Sequence, residues 1–142
     1  MAAEYSYTTV QTVAENENVL FTNGDRCCRK NLITHNDGSG IFRLKSASNI
    51  CKTVYRVQFN ANIAVTSGGT VGPISIALLQ NGEILRNAVA TVTPAATEDF
   101  FNISVSTFIE IPCPCCDTIS VENISATSID VINANIIFDR VA

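Results

Sequence analysis

Thr53-Val54-Tyr55-Arg56-Val57-Gln58-Phe59-Asn60-Ala61-Asn62-Ile63-Ala64-Val65-Thr66 is the stretch that decides the fold. Tyr55, Val57, Phe59, Ala61, Ile63 and Val65 fall on one side of an extended chain. Arg56, Gln58, Asn60 and Asn62 fall on the other. A period of two describes a half-buried β-strand with a polar outer face. Residues 101–111 repeat the pattern, with Phe101, Ile103, Val105, Ile109 and Ile111 alternating with Asn102, Ser104, Ser106 and Glu110.

Shorter strand signals flank these two, at 8–13, 19–22, 40–44, 74–80, 88–93, 118–124 and 129–141. Turn residues punctuate them: Asn23-Gly24-Asp25, Asn36-Asp37-Gly38-Ser39-Gly40, Ser67-Gly68-Gly69, Asn81-Gly82 and Thr93-Pro94. Side chains and φ > 0 preferences of this kind make turns. No segment carries a helical stripe with an N-cap. The expectation is an all-β protein, an antiparallel β-sandwich or jelly roll.

A length of 142 residues fits one domain. We expect residues 1–18 to be an N-terminal connector and 19–142 the jelly-roll domain. Tyr5, Tyr7, Val10 and Val13 give the connector the character of an assembly strand. Such a strand pairs with a sheet edge of its own or a neighbouring subunit, by β-augmentation. Removing residues 1–17 is then expected to leave a folded head.

Hydrophobic residues make up 46% of the chain and charged residues only 15%, which excludes a disordered tail. A formal net charge of −4 argues against a nucleic-acid surface, because phosphates reward basic patches. The densest apolar stretch, 74–79, is too short to span a bilayer, so no membrane insertion is expected. The N-terminus lacks the basic and apolar regions of a secretory signal. So little charge on a small chain implies surface buried against copies of itself. The final strand agrees, since Val131, Ile132, Ala134, Ile136, Ile137 and Phe138 are apolar on both faces and need a second packing layer.

Ile33-Thr34-His35-Asn36-Asp37-Gly38-Ser39-Gly40-Ile41-Phe42-Arg43-Leu44 resembles the opening strands of the complement-first-component and tumour-necrosis-factor superfamily. Val54-Tyr55-Arg56-Val57-Gln58-Phe59, Ile76-Ala77-Leu78-Leu79-Gln80-Asn81-Gly82 and the closing Asn133-Ala134-Asn135-Ile136-Ile137-Phe138-Asp139-Arg140-Val141 agree in order and spacing. The closing pattern is similar to bacterial members, including spore-surface heads and phage fibre tips. The resemblance covers 19–142 and implies a TNF-like jelly roll that forms homotrimers. Phe100, Phe108, Ile132, Ile136 and Phe138 are the candidate trimer-interface residues. The chain departs from the pattern at Ile50-Cys51-Lys52 and at Pro112-Cys113-Pro114-Cys115-Cys116-Asp117, and it has no Gly-X-Y stalk.

Six cysteines, Cys27, Cys28, Cys51, Cys113, Cys115 and Cys116, stand in three places. Disulfides, a thiolate zinc site and free thiols are all open from spacing. Disulfides are favoured, because a zinc ribbon needs paired C-x2-C and adjacent cysteines do not readily face one metal. Adjacent cysteines on a strand point to opposite sides, so one can bond within a subunit and the other between subunits. The only histidine, His35, lies in a turn, where the resemblance implies a packing role. The aspartates lack calcium-loop spacing, and no nucleophile elbow, phosphate loop or His-Glu-x-x-His occurs. No enzyme and no cofactor is expected. The sequons Asn102-Ile103-Ser104 and Asn123-Ile124-Ser125 are expected to stay bare.

The resulting expectation is a non-enzymatic structural protein whose partner is itself. It would be a self-assembling, disulfide-crosslinked subunit of an extracellular fibre, appendage, or spore or virion surface, reached without a signal peptide. The alternative is a phage head-fibre or tail-tip protein that binds a host surface receptor or glycan.

Overall fold

The computed structural model describes residues 2–23, 32–47, 51–113 and 116–142. Cys27, Cys28 and Cys115 lie outside them. The strands are β1 (Ala2–Tyr7), β2 (Gln11–Val13), β3 (Thr22–Asn23), β4 (Ile33–His35), β5 (Ile41–Leu44), β6 (Lys52–Val65), β7 (Ile74–Gln80), β8 (Glu83–Val92), β9 (Phe101–Pro112), β10 (Asp117–Asn123) and β11 (Ile129–Arg140). One sheet runs β3-β1-β11-β6-β9, with β2 also paired to β11, and the other runs β4-β5-β10-β7-β8. Every pairing is antiparallel. The two sheets face each other across a single core, which is the jelly-roll arrangement.

The alternating stretches build the centre. β6 pairs with β9 from Lys52↔Pro112 to Ile63↔Phe101 without a shift. Tyr55, Val57, Phe59, Ile63, Ile109 and Ile111 point inward and are buried. Each large side chain so buried contributes about 1.5–3 kcal/mol. β7 turns into β8 through Asn81 and Gly82, at φ 53° and 82°. Two consecutive positive φ values make a type I′ hairpin, whose twist matches its strands. The Asn81 side-chain oxygen accepts the Thr118 N–H at 3.0 Å and so ties the hairpin to β10.

The N-terminal segment pairs with a sheet edge of its own subunit, one of the two alternatives expected of it. β2 falls within the expected 8–13, and ahead of it β1 begins at Ala2 and sits between β3 and β11 inside the first sheet. Tyr5 and Val13 are buried in the chain's own core, Tyr7 is half-buried, and only Val10 is exposed. The segment therefore completes its own subunit. The physical reason is that β11 has two edges to fill: β6 takes one and β1 takes the other over six residue pairs.

The final strand is also not apolar on two free faces. Its pairing with β6 slips between Ile132 and Asn135, and Asn133 adopts φ 55°. This β-bulge inserts one residue and reverses the parity of the strand. Val131, Ala134, Ile136 and Phe138 all reach the core, while Ile132 and Ile137 face out. Ile136 and Phe138 are 0% exposed within one chain, so the structure removes them from the candidate interface.

Polar groups inside the sandwich have partners, and among the described residues no buried side-chain nitrogen or oxygen lacks one. Asn123 is fully buried; its amide nitrogen donates to the carbonyls of Val13 (3.0 Å), Ala14 (3.3 Å) and Thr127 (2.9 Å). Its side-chain oxygen accepts the Ser125 N–H at 2.9 Å. Asp130 accepts from the Thr12 and Thr66 hydroxyls at 2.9 and 3.0 Å, holding β2, β11 and the end of β6 together. Leaving buried partners unsatisfied costs about 1–3 kcal/mol per group. We expect Asn123→Ala to lower the unfolding free energy by about 3 kcal/mol in urea. A loss below about 1 kcal/mol would show that water replaces the amide there.

An aromatic cluster closes one end of the core. Tyr5 meets Phe42 at 4.8 Å, His35 at 5.0 Å and Phe138 at 6.1 Å between ring centroids. Burial pushes the Tyr5 phenol above its ordinary value of 10.0. Burial does the same at Tyr55, against a smaller pull downward from the Arg140 charge. A raised native value means that the folded state holds its protons while the unfolded chain loses them at about pH 10. Stability is therefore full below that pH and falls as pH rises through the native values. In Tyr7→Phe protein, which leaves Tyr5 and Tyr55 as the only phenols, phenolate absorbance should appear only above pH 10, together with loss of the β-sheet signal. Ionisation at pH 10 with the sheet intact would contradict this.

Candidate assembly surface

The outer face of the first sheet can be read row by row from its register. Asp139, Arg56 and Phe108 form one row across β11, β6 and β9; Ile137, Gln58 and Ser106 form the next. Then follow Asn135, Asn60 and Ser104, and finally Ile132, Asn62 and Asn102. β1 adds Glu4 beside Ile137 and Ser6 beside Asn135. Opposed residues in such rows lie close enough to interact.

Charge is confined largely to one end. Arg56 pairs with Asp139 at 3.1 Å and Lys52 with Glu110 at 2.9 Å. The middle rows are amides and hydroxyls, joined by Asn102 donating to Asn62 at 3.1 Å and Asn135 donating to Glu4 at 2.9 Å. A sheet face made for water usually carries alternating Lys and Glu. Apart from Glu4, the middle rows of this one carry uncharged groups that can hydrogen-bond in two directions, with Ile132 and Ile137 among them.

Phe108 stands on this face and is 64% exposed. Phe100 and Phe101 are 39% and 40% exposed at the start of β9. β8, the edge of the second sheet, adds exposed Ile84 and Val89. β8 and β9 are the adjoining edges of the two sheets and lie against each other. Of the sequence-derived candidates, the structure leaves Phe100, Phe108 and the half-buried Ile132 available to a neighbour. It adds Ile137, Phe101, Ile84 and Val89. Ile137 was hidden by the bulge, and its only signal was the apolar run broken by Asn133.

The other expected positions are placed apart from this face. Cys51 and Cys113 are exposed free thiols at the end of the β6–β9 pair. Cys116 is disulfide-bonded, and its sulfur accepts a contact from the Arg43 guanidinium at 3.0 Å. His35 stacks on Phe42 with ring centroids 4.3 Å apart, and its Nε2 lies 2.8 Å from the Ser39 carbonyl. That distance fits an Nε2–H donor. Asn123 is fully buried, which closes that sequon to a glycan in the folded chain, whereas Asn102 is exposed. An open recess of about 400 Å³ lies between β2 and β5, lined among others by Gln11, Glu17, Asn18 and Ile41. It offers hydrogen-bonding groups without an aromatic to stack on. Among the described residues no helix is long and apolar enough to cross a membrane.

No family model and no curated protein matches the chain. Among solved structures, Eiger TNF from S. frugiperda matches with a TM-score of 0.65 at 15% identity, over 100% of this chain and 92% of that one. The PRD1 vertex protein P5 matches with a TM-score of 0.49 at 13% identity, over 99% of this chain and 96% of that one. The likeness to Eiger TNF is one of fold. This chain is an antiparallel, TNF-like jelly roll.

Proposed function

We propose that the chain is a non-enzymatic structural protein, a homotrimeric jelly-roll subunit that self-assembles into an extracellular fibre, appendage, or spore or virion surface layer. The observation that carries this reading is Phe108, 64% exposed on the outer face of the first sheet beside rows of amides and hydroxyls. A chain that exposes this face alone leaves a large aromatic in water. Against a second copy, the amides exchange water for partners of their own kind and the phenylalanine is covered. Repeating the contact around a threefold axis closes the ring and leaves no free face.

Crosslinks reinforce the assembly in this reading, drawn from Cys27, Cys28 and Cys115, since Cys116 is already bonded within its own chain. A jelly roll of this length has core enough to fold without staples, so the bonds add durability rather than the fold. Electron micrographs of the purified chain, with and without reductant, test the self-assembly. Regular polymers of trimeric units after oxidation are expected. Dispersed particles no larger than a trimer under both conditions would instead favour a receptor-binding tip.

A further inference from the structure

Cys51 and Cys113 come together through a register that the sequence does not reveal. The ladder of β6 and β9 ends at Lys52↔Pro112, and one residue further the Cys113 N–H donates to the Cys51 carbonyl at 2.9 Å. The two cysteines are therefore directly opposed across the strand pair. Both are exposed and both are free thiols. Their shared hydrogen bond makes them a hydrogen-bonded pair, the wider kind, with Cβ atoms about 5.5 Å apart, and a disulfide needs about 3.5–4.5 Å. A closure of about 1–2 Å separates the two states, and both residues lie just outside the regular strands, where the backbone can yield.

We propose that Cys51 and Cys113 are a modification site: a cross-strand dithiol that closes within one chain by exchange with a small disulfide such as oxidised glutathione. One thiol, as its thiolate, attacks the small disulfide, forms a mixed disulfide and releases one small thiol. The other thiolate attacks the protein sulfur of that mixed disulfide, releases the second small thiol and leaves the Cys51–Cys113 bond. Two protein thiols are oxidised, one small disulfide is reduced to two thiols, and the two protons leave with them. The bond clasps the open end of the longest strand pair in the fold. It also withdraws these two sulfurs from the pool that crosslinks chains, so the clasp and the welds are chemically separate.

The test uses full-length protein carrying Cys115→Ser and Cys116→Ser, prepared as a mixture of unlabelled and nitrogen-15-labelled chains. The reduced, folded mixture is equilibrated with oxidised and reduced glutathione, quenched, alkylated and digested for mass mapping. The expected result is a linked pair of peptides containing Cys51 and Cys113, with only all-light and all-heavy masses, and at least tenfold protection of both thiols from alkylation. Mixed light–heavy pairs would overturn the proposal, because the bond would then join chains. So would both cysteines carrying glutathione or the alkylating agent separately, or Cys51 linked to Cys27 or Cys28. Unmutated protein mapped with fragmentation between Cys113 and Cys115 gives the same readout should the double variant fail to fold.

Discussion

Deleting residues 1–13 is expected to abolish cooperative folding, not to release a trimmed head. β1 is an internal strand of the first sheet, and its removal strips six residue pairs from β11. It also takes away Tyr5, whose ring fills the space among His35, Phe42 and Phe138. Truncating one buried aromatic to alanine costs about 3–5 kcal/mol by itself. Loss of Val13, of the Asp130 contact to Thr12 and of the Asn123 contact to Val13 comes on top. The sum rivals the ~5–15 kcal/mol that holds a domain of this kind together. Circular dichroism and urea titration of the deletion variant should show no cooperative transition. A sharp transition near that of the full chain would contradict the placement of β1. Tyr5→Ala is the milder companion and should cost about 3–5 kcal/mol with the fold retained.

Phe108→Asp should act in the opposite sense, leaving the fold intact and dissolving the assembly. The side chain is 64% exposed in one chain, so its replacement removes little from the core. In the proposed trimer the same position would be covered, and each subunit would lose about 1.5–3 kcal/mol of aromatic burial while gaining a charge that has no partner. Three copies multiply the effect, which is enough to shift association by several orders of magnitude. Size-exclusion chromatography with light scattering, beside a urea titration, reads both quantities. A monomer with unchanged unfolding is the expected outcome. An unchanged oligomer would move the interface away from this face.

The parts of the fold that could be read from sequence are those fixed by side-chain alternation. From Lys52 to Ile63 in β6 and from Asn102 to Pro112 in β9 a period of two survives because one face meets the core and the other does not. The turn at Asn81-Gly82 was equally legible, since the residue types needed for two positive φ values are few. What escaped was set by non-local geometry. β1 carries no alternation strong enough to separate it from a tether, and its place is decided by the free edge of β11. The parity of β11 depends on Asn133, where one inserted residue turns two apolar faces into one, so that Ile136 and Phe138 turn inward and Ile137 faces out. At the assembly face, Gln58, Asn60, Asn62, Ser104 and Ser106 read one by one as ordinary solvent-facing polar residues. Only the pairing of strands aligns them into rows. The cross-strand position of Cys51 and Cys113 likewise depends on a register fixed far from either residue.

The central claim is that this face belongs against other copies of the same chain. Sedimentation equilibrium of the reduced protein tests it most directly, because reductant removes covalent links and leaves the face alone to act. The account predicts a single species of three times the 15.3 kDa chain mass, persisting across dilution into the low micromolar range. A 15.3 kDa species at every concentration, with the sheet signal intact, would contradict it.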